Sequence, residues 1–144
     1  MNLIEISAPE YPVLIDIAYA GTQNFTGAPV YARPGCYLHE GAAACFKQAI
    51  EYAAEIGYRF KVFDAYRPAE AQYILWEHTP DPNFLAHPER GSPHSRGVAI
   101  DVTLVDAQGF ELDMGTKFDE FIHMSHHGAA GITKEAARNR LVLL

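Results

Sequence analysis

The stretch from Gly97 to Val105 constrains this chain more than any other. Val98, Ile100, Val102 and Leu104 alternate there with Ala99, Asp101, Thr103 and Val105. A period of two over that length fits a β-strand with one apolar face. The strand is entered from residues 79–93, where four prolines and one glycine argue against regular structure and predict a long loop. Unstructured loops of that length are uncommon in compact domains, and they carry function more often than not. The chain must therefore build a sheet that accepts a carboxylate, Asp101, on the small and polar face of a strand fed by a functional loop.

The flanking segments supply the rest of such a sheet. The first 37 residues are rich in Pro, Gly, Asn and Tyr and read as extended segments and loops. From Leu38 to Ile56 the period becomes helical, with Phe46, Ala49, Ile50, Ala53 and Ala54 on one face and Gly57 as a stop. Cys45 is expected on the apolar side of that helix as a buried free thiol. Arg59 to Asp64 alternates as a second strand. Pro68 stands where a helix begins, running from Ala69 to about Glu77, because its missing N–H is not needed in a first turn. Asp106 to Gly109 is a turn, with Phe110 to Met114 as the return strand of a hairpin, and the chain after Asp119 reads as mostly helical around Gly128 to Gly131. Helices interleaved with a sheet containing a hairpin indicate an α+β fold, a small mainly antiparallel sheet with helices packed on it. Its 144 residues make one domain, 1–144.

Composition excludes several functions. A net charge of −7 gives no footprint for nucleic acid. No stretch approaches the roughly 18 apolar residues of a membrane helix. The N-terminus lacks a basic region followed by an apolar run, so a cytoplasmic protein is expected; a mature periplasmic form would look the same. Two cysteines, Cys36 and Cys45, do not make a disulfide scaffold.

The chemistry concentrates in Ser92-Pro93-His94-Ser95-Arg96-Gly97-Val98-Ala99-Ile100-Asp101. An imidazole and a carboxylate are both first-choice zinc ligands. On spacing alone, a loop histidine and a strand aspartate bonded to nearby backbone remain the commoner outcome. The pattern Ser-x-His-x-x-Gly-x-Ala-x-Asp, however, resembles the zinc signature of VanX-type D-alanyl-D-alanine dipeptidases and the related carboxypeptidases. Tyr19 to Gly27, Asp64-Ala65-Tyr66-Arg67-Pro68, and Met114-Gly115 through Phe118-Asp119 to Ser125-His126-His127 resemble further segments of the dipeptidase branch, in the same order.

The resemblance implies a Hedgehog/D-Ala-D-Ala-peptidase-like fold and zinc-dependent hydrolysis of the small peptide D-Ala-D-Ala by a metal-activated water. It implies His94 and Asp101 as zinc ligands and Arg67 as the catalytic group facing the tetrahedral oxyanion. Ser92, Asp119 and Tyr19 are implied as substrate contacts. Without the resemblance, Arg67 reads as a surface ion pair with Asp64 or Glu70, and Asp119 as a helix cap. His123, His126 and His127 are expected to be structural, and His39, His78 and His87 to lie on the surface.

One departure is plain. The family draws its third zinc ligand and its general base from a late Glu-Trp-Trp-His segment, and the only tryptophan here is Trp76. Ala136, Ala137, Leu141 and Leu144 look like an amphipathic helix still in progress. The expectation is a C-terminally truncated domain lacking that Glu-x-x-His segment, inactive alone and prone to self-association through the strand edge it would cover. The alternative is a non-catalytic module of the same fold that binds zinc or a peptidoglycan peptide.

Overall fold

The computed structural model describes residues 2–32, 35–118, 120, 125 and 131–143. Its centre is strand β4 (Arg59–Asp64), in which Phe60, Val62 and Asp64 alternate inward. On one side β4 pairs in parallel with the short β2 (Leu14–Ile15), and on the other antiparallel with β5 (Asp101–Val105). A separate antiparallel pair joins β1 (Leu3–Glu5) to β3 (Tyr37–His39). The α+β expectation holds, with two antiparallel pairings and one parallel.

Helix α1 (Glu40–Glu55) follows β3 without a loop, and the His39 side chain caps it by accepting the Gly41 N–H. It buries Ala43, Phe46, Ile50 and Ala53 against the sheet, where Phe46 meets Phe60 at 5.2 Å between ring centroids. Ile6, Leu38, Val62 and Leu104 complete this core. Cys45 lies about 100° around the helix from Phe46 and is exposed, contrary to expectation, while Cys36 is the buried thiol. Helix α2 (Ala69–His78) starts immediately after Pro68, as the sequence suggests, and carries Leu75 into a second apolar cluster with Tyr19 and Leu85.

Three further expectations need correction. The strand expected from Gly97 begins only at Asp101. Residues His94–Arg96 instead form a 3-10 turn closed by Gly97, whose N–H returns to the His94 carbonyl, while the Val98 N–H returns to Pro93. The Gly97 carbonyl accepts the His39 N–H at 2.8 Å, so these backbone groups are committed before a ladder can form. The return strand of the hairpin is reduced to one bridge, Val105 with Glu111, plus the Leu112 N–H to the Leu104 carbonyl. Beyond it, the carbonyls of Asp113 and Met114 are taken by Asn139 and Arg140 of α3 (Lys134–Leu143). That helix buries Ala136 and Arg140, and leaves Leu141 71% exposed, so its inward face is not the one the apolar pattern suggests.

The pairing of β4 with β5 contains the feature that shapes the site. Val62 opposes Val102, yet Asp64 rather than Phe63 is the next residue to pair with β5, at Asp101. The extra residue is a bulge, a device that re-aims side chains. Here it sets two carboxylate-bearing residues side by side at one end of the sheet.

Gly97 holds the neighbouring turn in place. Its φ of +73° is left-handed, and an added Cβ would lie 2.9 Å from the His39 nitrogen and 3.0 Å from Leu3 Cδ2. Gly97→Ala should destabilise the fold by about 1–3 kcal/mol in denaturant unfolding. Gly109→Ala, at φ +86° with nothing within 4 Å, should cost only the backbone strain, about 1 kcal/mol. Equal losses in the two variants would show that the contact with β1 and β3 does not matter.

Candidate functional site

A cleft of about 490 Å³ opens where the ends of β4 and β5 meet the 79–93 loop. It is bordered by Tyr19, Arg67, Ser92, His94 and Asp101, by Phe84 to Ala86 of the loop, and by Thr116 to Phe118 with Glu120 opposite. Five of the six residues singled out from the sequence thus converge. The sixth, Asp119, lies outside the described residues, as do His123, His126 and His127.

Each group is fixed by backbone. Arg67 stands just past β4, and its N–H donates to the His94 carbonyl at 2.9 Å. The His94 Nδ1 lies 2.8 Å from the Ala65 carbonyl. A carbonyl only accepts, so Nδ1 carries the hydrogen and the neutral ring presents its lone pair at Nε2. The Ser92 hydroxyl accepts the His94 N–H at 3.2 Å, tying the loop end to the turn.

The Nε2 lone pair faces Asp101 Oδ1 at 3.4 Å. Two acceptors at that separation repel unless something positive lies between them. A proton is one solution. Burial pulls the pKa of His94 down, but the hydrogen bond and charge of Asp101 outweigh it and the net shift is upward. A metal ion is the other solution. Two ligands at 2.0–2.1 Å in a tetrahedral shell sit about 3.3 Å apart, which this pair matches. Having the other ring nitrogen bonded to a carbonyl is also the usual arrangement of a metal-binding histidine. The donor set therefore fits a zinc-like ion.

Asp64 completes a potential ligand triad with His94 and Asp101, their ligand atoms lying within 4.8 Å of one another. Both of its oxygens are already engaged. Oδ2 accepts from Arg67 Nε at 3.0 Å and Nη2 at 2.7 Å, and Oδ1 accepts the Tyr31 hydroxyl at 2.5 Å. A carboxyl that accepts from three donors is arranged as a carboxylate. Burial raises its pKa, against the opposing pull of Arg67 and Tyr31. For Arg67, burial acts to lower the pKa, but Asp64 leads the neighbours that raise it and the net shift is upward, so the guanidinium stays charged. Asp64 is better suited to hold Arg67 than to hold a metal.

Arg67 is not the surface ion pair that its spacing to Asp64 or Glu70 permits. It is 5% exposed, its Nη1 donates to Gln72 Oε1 at 2.8 Å, and its guanidinium lies 5.2 Å from the Tyr19 ring centroid. Tyr19 both borders the cleft and packs, against Phe25, Tyr31 and Phe118. Tyr31 and Gln72 were not singled out by sequence reasoning, and Asp64 was named only as a possible surface partner of Arg67. A signal for Asp64 was present: the β4 alternation puts it on the face of Phe60 and Val62, where a carboxylate needs a partner. Gln72 and Tyr31 offered none.

With metal removed by chelation, NMR should place the His94 titration above the ordinary value of about 6.5. Asp101→Asn should bring it below that value, because burial then dominates. A folded pKa above the unfolded one gives stability that is full below about pH 6.5 and lost as pH rises through the folded value. Denaturant unfolding of the metal-free protein should show that loss, and Asp101→Asn should abolish it. An unshifted His94 would contradict the short approach to Asp101.

Residues 8–144 match the family model described as D-ala-D-ala dipeptidase. A D-alanyl-D-alanine dipeptidase of Escherichia coli K12 is 42% identical over 142 residues, covering 99% of this chain and 74% of the relative. One from Enterococcus faecalis V583 is 34% identical over 149 residues, covering 89% of this chain and 74% of the relative. One from Enterococcus faecium is 36% identical over 146 residues, covering 87% and 72%.

Proposed function

The chain belongs to the D-Ala-D-Ala dipeptidase family, and on that premise we propose that it hydrolyses the peptide bond of D-Ala-D-Ala at zinc held by His94 and Asp101. The observation that carries this reading is the 3.4 Å approach of two fixed acceptors, beside a buried arginine, in a cleft of dipeptide size.

Zinc in such a site supplies an acidified water and a polarised carbonyl. The chain's own residues do the rest. Arg67, held charged by Asp64, donates to the carbonyl oxygen as it gains negative charge; such donors are in place before the reaction begins and need not reorganise during it. Ser92 and Tyr19 line the wall against which the dipeptide rests. Asp119 accepts from the free ammonium of the substrate. The third ligand and the base that takes the proton of water come, in this reading, from the family's Glu-Trp-Trp-His segment, which these 144 residues do not contain. Among the described residues, the outer edge of strand β5 is met only by the Glu111–Leu112 return. That edge is proposed to take the segment or, without it, a second copy of the chain. The other reading of the same residues is a zinc- or peptide-binding module without catalysis. No described helix is long and apolar enough to cross a membrane.

Zinc content and release of D-alanine from D-Ala-D-Ala, measured on this chain and on a longer chain carrying Glu-Trp-Trp-His, test the proposal. The longer chain should hold one zinc and turn over, while the 144 residues alone should bind zinc weakly and not turn over. Binding of the dipeptide by the longer chain without hydrolysis would establish the module instead. In the active chain, Arg67→Ala should lower kcat and kcat/KM together by roughly 10²-fold. A change confined to KM would make Arg67 a ground-state contact.

A further inference from the structure

The side chain of Gln72 joins two parts of the cleft that otherwise belong to different segments. It is 2% exposed on α2. Its Oε1 accepts from Arg67 Nη1 at 2.8 Å, and its Nε2 donates to the Ala86 carbonyl at 2.8 Å. The amide has only one workable orientation, because a flip would set donors against donors at the arginine and an oxygen against an oxygen at Ala86. Ala86 lies in the 79–93 loop, next to Phe84 and Leu85, which line the cleft with it. Within the loop, the Phe84 and Leu85 N–H groups bond to the Asp81 carbonyl.

We propose that Gln72 is a positioning residue that fastens the Phe84–Ala86 wall to the Arg67 guanidinium, so that the width of the cleft is set relative to the charge that meets the substrate. The inference rests on the dipeptidase reading for the identity of the ligand, but the tie itself is independent of it. A wall fixed in this way admits a small side chain and excludes a large one. A wall free to move discriminates less.

Gln72→Glu separates the two contacts. The carboxylate keeps, and strengthens, the bond to Arg67. Beside that charge it stays ionised, so it has no hydrogen for Ala86 and repels the carbonyl. Gln72→Met keeps the length and loses both bonds. In the zinc-loaded longer chain, Gln72→Glu should raise amide exchange of Phe84 and Leu85 by about tenfold, the scale of one lost hydrogen bond. Amides of β4 should be unchanged. The ratio of Kd values for D-Ala-D-Phe and D-Ala-D-Ala should fall by several-fold. Gln72→Met should show the same loop exchange and, in addition, weaker binding of D-Ala-D-Ala.

Unchanged exchange at Phe84 and Leu85 in Gln72→Glu would overturn the tie. Faster exchange with an unmoved Kd ratio would overturn its role in selection. Equal falls in thermal stability in both variants, with neither exchange nor ratio altered locally, would make Gln72 an ordinary core residue. A wild-type chain that binds neither dipeptide would instead overturn the dipeptidase reading, while the exchange result still judged the tie.

Discussion

The ion pair between Asp64 and Arg67 organises most of what surrounds it. Both side chains are removed from water, and charges so buried need excellent geometry to offset the loss of hydration. Asp64 meets that demand by accepting two N–H groups of the guanidinium and the Tyr31 hydroxyl. Arg67 gains a third bond from Gln72 and the face of Tyr19. Such a pair adds little net stability compared with apolar packing, but it admits few alternative arrangements. Its return is orientation: a cation at the bottom of a cleft, aimed by partners that belong to β4, α2 and the loop before β3.

The backbone around this pair is equally determined. The Arg67 N–H and the His94 carbonyl join the turn after β4 to the 3-10 turn before β5, and the Ala65 carbonyl then fixes the imidazole. The bulge at Phe63 brings Asp101 alongside. These contacts hold the imidazole and bring Asp101 beside it, and a positive charge between Nε2 and Oδ1 completes the pairing.

How much of this was legible beforehand differs by residue. The strand at Arg59–Asp64 and the helix at Ala69 follow from local patterning, and α1 lies within the helix read from Leu38 to Ile56, because burial of one face dictates the period. The start of β5 does not follow, because Val98 and Ile100 continue the alternation while a left-handed Gly97 and the hydrogen bond from His39 end the ladder early. The inward face of α3 was misread for a similar reason: Arg140 finds the Met114 carbonyl, so a charged residue is buried where Leu141 was expected. Tertiary hydrogen bonds overrode hydropathy at both places. At the site, the resemblance supplied His94, Asp101 and Arg67, and spacing offered Asp64 as a partner of Arg67, whereas contacts such as Ala65 with His94 are long-range and follow no spacing rule. Tyr31 and Asp64 are 33 residues apart.

Charge balance explains why this cluster favours a cation. Asp64 and Asp101 each bring a negative charge, Arg67 brings one positive charge, and a neutral His94 adds none, so the set is one negative charge in excess. Arg67 stands 3.6 Å from Asp101 as well as against Asp64, and it cannot neutralise both. Without metal, protonation of His94 closes the deficit, which accounts for its raised pKa despite burial. A divalent ion held by His94 and Asp101 would take the same lone pair in place of that proton, and the four side chains with the ion would then be one positive charge in excess. A site so charged, with low exposure around its arginine, attracts the negative charge that forms on a peptide carbonyl under attack. Asp64 engages one side of the guanidinium at 2.7 Å, and so holds Arg67 between itself and Asp101 rather than leaving it to pair with Asp101 alone.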